Sequence, residues 1–106
     1  MPDEVPNEGL DATAVPPVTA SWHIIGNFAL TLNGYKAVGE DECGYLANRV
    51  RGEFATDGAC FQRLSLTELR ACLFFEQRRF RHFGDEPEGE DRIYANALLE
   101  AIRSKV

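Results

Sequence analysis

The stretch that decides the fold is residues 65–83, SLTELRACLFFEQRRFRHF. Ser65 stands three residues before Glu68, the spacing of a capping box, in which the serine hydroxyl accepts from the Glu68 amide while the glutamate accepts from the Ser65 amide. A helix is therefore expected to start at Leu66. At about 100° per residue, Leu66, Leu69, Cys72, Leu73, Phe80 and Phe83 fall on one arc, the width of a helix buried along one face. Gly84 follows, a residue that takes a left-handed stop position without a Cβ clash.

Two features set this helix apart. Cys72, Leu73, Phe74 and Phe75 are consecutive, so apolar surface wraps most of the circumference at mid-helix and neighbours are expected on several sides. Glu76 projects into the middle of the apolar arc, where a carboxylate needs a partner or a proton. Desolvation there would raise its pKa, as in a general acid or base. The commoner outcome is a buried ion pair, with Arg79 one turn on or with Arg49 or Arg51 from the preceding helix.

Working outward, residues 39–55 form a second helix. Acids at Glu40, Asp41 and Glu42 suit its N-terminus, and Cys43, Leu46, Ala47, Val50 and Phe54 make its apolar stripe. Residues 56–64 hold Asp57-Gly58 and are expected to form a loop. Downstream, Pro87 suits the first position of a further helix. Its face would be Ile93, Tyr94, Ala97, Leu98, Ala101 and Ile102, with Arg103 and Lys105 complementing the dipole at its end.

Residues 21–33 carry conflicting periodicities. As a helix they place Trp22, Ile25, Phe28, Ala29 and Leu32 on one face and stop at Gly34. As strands, residues 24–38 would be a small hairpin turning at Asn33-Gly34, giving an α+β fold. The helix is preferred because the apolar face extends back to Trp22 and no later segment supplies partner strands. The expected fold is thus all-α, a four-helix bundle-like single domain over residues 19–106 with the 65–83 helix innermost. Residues 1–18, with four prolines and four acids, are expected to be a disordered acidic leader.

Composition narrows the function classes. A chain of 106 residues suits one domain, and 44% apolar with 26% charged residues is ordinary globular composition. The net charge of −6 disfavours broad attraction to nucleic acid or anionic lipid. Asp3, Glu4, Glu8 and Asp11 supply four of those charges, so the rest of the chain carries only −2. Cys43, Cys60 and Cys72 follow no signal-peptide core, which points to a reduced, cytoplasmic protein. No apolar run is long enough to span a membrane.

One surface constellation stands out. Arg70, Phe74, Arg78 and Arg81 share the face of the 65–83 helix opposite the main stripe, and Arg79 and His82 extend it. An aromatic ringed by arginines resembles a protein-contact surface, and with nucleic acid it would offer phosphate contacts. An internal role competes with both, with Phe74 covered and the arginines bridging to acids. No Cys-x-x-Cys or His-x-x-x-His spacing supports a metal, no phosphate-binding loop occurs, and no cofactor is implied.

The leading expectation is a non-enzymatic protein that binds another protein or a second copy of itself. Tyr45, Leu30 and Phe75 fall off their assigned stripes and could close a symmetric dimer. A nucleic-acid-associated regulator using the basic face ranks second, and an enzyme built on Glu76 third.

Overall fold

The computed structural model describes residues 14–83 and 85–106; the side chains of Arg81, His82 and Phe83 lie outside that description. Of the described residues, 72% are helical. Among the described residues there is no strand, and five α-helices occur: α1 (Trp22–Leu30), α2 (Gly34–Val38), α3 (Glu40–Phe54), α4 (Leu66–Phe83) and α5 (Glu90–Lys105). A short 3-10 turn, Cys60–Arg63, precedes α4. The all-α class is as expected, with one helix more than the four anticipated.

The capping box forms as the spacing dictates. The Ser65 amide donates to Glu68 Oε1 at 2.9 Å, and the Glu68 amide donates to Ser65 Oγ at 3.1 Å. From that start α4 runs as the inner rod and touches each of the other four α-helices. Leu69, Ala71, Cys72, Leu73 and Phe80 are buried along it. Near its end the Asp85 amide donates to the Phe80 carbonyl; Gly84, the expected stop, lies outside the described residues.

Residues 21–38 form neither one helix to Asn33 nor a hairpin. Ser21 caps α1 by accepting from the Ile24 amide, but the helix ends at Leu30. Asn33 then takes a left-handed conformation (φ 53°) and α2 begins at Gly34. The reason is tertiary. A Cβ on Gly34 would lie 2.4 Å from the Ala71 nitrogen, so α2 can rest against the α4 backbone only with glycine there, and the chain breaks to bring it in.

Three smaller corrections follow the same logic. The loop expected over residues 56–64 contains the 3-10 turn and reaches the core, where Cys60, Phe61 and Leu64 are buried and Phe61 stacks on Phe54. On α5 the core face is centred on Tyr94, Ala95, Leu98, Leu99 and Ile102, leaving Ile93 59% exposed. The described part of the expected leader, residues 14–18, is packed: Val15 is buried, and Arg103 Nη2 donates to the carbonyls of Val15 and Pro16 at 2.8 and 2.7 Å. Arg92 holds Val18 and Ala20 in the same way. Paired backbone and a buried anchor order this stretch against α5, while residues 1–13 lie outside the description.

Candidate binding groove

The face of α4 singled out by its arginines is divided by its neighbours. Arg70 is only 4% exposed, and its Nη2 donates to the Leu32 carbonyl at 2.6 Å. That carbonyl belongs to the break between α1 and α2, where helical partners run out, so the guanidinium is a structural clamp on the connector. Phe74 stacks on Tyr35 of α2, with ring centroids 4.6 Å apart and planes at 24°. Arg78 lies at the surface, with Nη1 3.8 Å from Glu40 Oε1 and both side chains exposed, and Arg79 beside it is 43% exposed. Arg81 and His82 lie on helical backbone, their side chains outside the description.

Two hollows flank this face. One, of about 450 Å³, opens between α1 and the second half of α4, beside Trp22, Gly26, Leu30, Gln77 and Phe80. The other, of about 310 Å³, is lined by Leu30, Tyr35, Glu40, Phe74, Gln77 and Arg78. Leu30 and Gln77 border both, so the hollows adjoin as one groove along α4. Leu30 is 38% exposed and forms an apolar wall. Gln77 is 6% exposed, and its Oε1 has no hydrogen-bond partner among the described residues.

Neither Gln77 nor Gly26 stood out in the sequence. A glycine within a helical window, away from either helix end, was the available signal. The groove brings Phe74 and Arg78 together and withdraws Arg70, which weakens the arginine-ringed surface for phosphate contacts.

Glu76 is 3% exposed. Its Oε1 lies 2.5 Å from Arg51 Nη1, and its Oε2 lies 3.9 Å from Arg79 Nη1. Arg51 also pairs with Asp91 and sits over the Tyr94 ring, 5.0 Å from its centroid. Burial pushes the Glu76 carboxyl above its ordinary value, and the Arg51 and Arg79 guanidiniums partly offset this. The carboxylate is thus committed to internal cations. Of the two α3 arginines weighed as partners, Arg51 is the one that reaches it.

The three cysteines are free thiols and all are buried. Desolvation raises each pKa, that of Cys72 to about 12. Thiolate character, which nucleophiles and metal ligands need, is suppressed. Among the described residues no group of three His, Cys, Asp or Glu could hold a metal ion, and no helix is long and apolar enough to cross a membrane.

No protein-family model, no curated protein and no solved structure matches this chain.

Proposed function

We propose that the protein acts by binding another protein, as an adaptor, regulator or accessory subunit in the cytoplasm, and that the α1/α4 groove is its contact surface. The observation that carries this is the pair Leu30 and Gln77: an apolar side chain standing out of a short helix, beside a buried amide whose acceptor is unused. Concave apolar surface with a few convergent polar groups is the usual form of a recognition site. The cytoplasmic assignment is supported by three buried thiols left unbridged. Tyr45, 73% exposed on the outer side of α3, is a separate aromatic that a second copy of the chain could cover.

A photo-crosslinking residue placed at Leu30 in the full chain, and expressed in the cells the gene comes from, tests the reading. The expected result is a discrete adduct from position 30 and none from Gly52, which faces open space. An adduct between two copies, with a dimer by light scattering, would identify the partner as the chain itself. Equal labelling from both positions, or none from either, would refute the groove as contact surface.

A further inference from the structure

Residues 15–20 form a strap laid along α5. Arg92 and Arg103 are about three turns apart and so stand on one face of that helix. Arg103 Nη2 donates to the Val15 and Pro16 carbonyls, and Arg92 Nη2 donates to those of Val18 and Ala20 at 2.9 and 2.5 Å, so the strap runs antiparallel to α5. Arg92 is itself held by Asn96, whose Oδ1 accepts from its Nε at 2.9 Å. Val15 and Pro16 are buried, while Pro17 and Thr19 are exposed.

The seat on α5 suits an extended proline segment. Pro16 and Pro17 have no N–H to leave unpaired, so that part of the backbone offers acceptors alone, and a guanidinium offers donors alone. A residue before a proline is held extended, which applies to Val15 and Pro16, so docking costs little conformational freedom. The strap is also attached from outside. Among the described residues, 15–20 share no backbone–backbone hydrogen bond with a helix.

A turn returns the strap to its own α5. The Ala20 amide donates to the Pro17 carbonyl at 3.0 Å, which places Val18 and Thr19 at the two central positions. Turns favour Gly, Pro, Asn, Asp and Ser, whereas Val and Thr, branched at Cβ, favour extended backbone. Straightened, residues 17–20 would carry Val15 and Pro16 away from their own helix. The same segment then fits the same seat on a second copy, where it makes the same contacts.

We propose that two copies of the chain exchange this strap, Val15 and Pro16 of each docking on Arg103 of the other. A connector whose residues disagree with its conformation favours such exchange. Neither Arg92 nor Arg103 lines the α1/α4 groove, so the contact is independent of that surface. A tethered segment acts at an effective concentration in the millimolar range. Because the strap is seated in spite of its turn, the seat holds the same segment from another copy with a Kd below about 1 mM.

The test mixes two variants of the full chain. Val15→Lys empties its own seat, since Arg103 repels the ammonium; Arg103→Leu keeps a sound strap but removes the donors that hold it. Each alone should sediment as a monomer. Mixed at about 1 mM each, they should form a one-to-one dimer, and an excess of a peptide of residues 14–20 should dissolve it. Val15→Ser, which weakens the strap without adding charge, repeats the mixing with a seat emptied differently. Adding Thr19→Asn to the Arg103→Leu chain should weaken the mixed dimer several-fold, because asparagine favours the turn. Circular dichroism should show the natural helix content throughout, since the strap contributes no helix. Monomers in both mixtures, a dimer that ignores the peptide and Thr19→Asn, or loss of helix in both Val15 variants would each overturn the inference. Crosslinking at Leu30 reads the α1/α4 groove separately, so failure of strap exchange is distinguishable from failure of that surface.

Discussion

Gly34 lies against the backbone of Ala71 so closely that a Cβ on it would be 2.4 Å from the Ala71 nitrogen and 2.7 Å from its Cα. Its φ is not positive, so the demand is for space. Backbone cannot swing aside as a side chain can, and Gly34→Ala should force α2 off α4. The expected cost is about 3 kcal/mol, the upper end of ordinary overpacking, read from urea denaturation. A loss below about 1 kcal/mol would show that α2 does not rest on α4 in this way.

Arg70 makes a complementary prediction. Its guanidinium satisfies the Leu32 carbonyl at the break between α1 and α2. Arg70→Met keeps the packed stem but strands the carbonyl, and should cost about 1–3 kcal/mol. Amide exchange should quicken first in residues 31–34, where the clamp acts. Uniform protection there would indicate that the connector is held by packing alone.

The inner rod was legible in the sequence because its signals are local. The capping box at Ser65 and Glu68 is a matter of spacing, and Leu69, Cys72, Leu73 and Phe80 repeat with the helical period. Residues 21–38 were not legible. Asn33-Gly34 is a turn signal for a hairpin and a helix break alike, and what decides between them is the contact with Ala71, remote in sequence. Arg70 failed for a related reason. Helical projection places it on a face correctly, but cannot show that the end of another helix covers that face and needs a donor. Gln77 shares the face of Arg70 and Phe74, and its burial depends on α1, which helical projection of α4 alone does not show.

The thiols should be inert in the native state. Cys43, Cys60 and Cys72 are each about 1% exposed or less, and desolvation keeps them protonated, Cys72 up to about 12. Reaction with a disulfide reagent near neutral pH should therefore wait on opening of the fold, and its rate should rise with urea in step with unfolding. Immediate modification of any one thiol would show a more open core than the one described.

The pair Arg51 and Glu76 predicts how stability depends on pH. The ordinary carboxyl value is 4.5, and burial raises that of Glu76 in the folded protein. Between the two values the native state binds more protons than the unfolded state, so this group's contribution to stability falls as pH rises and levels off once the native carboxyl has ionised. Arg51 limits the effect by favouring the charged form. Arg51→Met should push the Glu76 titration higher still, making the variant progressively less stable than the natural chain as pH rises above the ordinary carboxyl value, until its own carboxyl has ionised. Asp91, the other partner of Arg51, is 36% exposed and regains water at little cost. Glu76→Gln should remove the dependence, and adding it to Arg51→Met should abolish the extra loss at high pH. Urea denaturation of the four proteins across that range checks the prediction. A penalty for Arg51→Met that is the same at every pH would mean that the guanidinium acts through packing on Tyr94 and leaves the buried carboxylate unaffected.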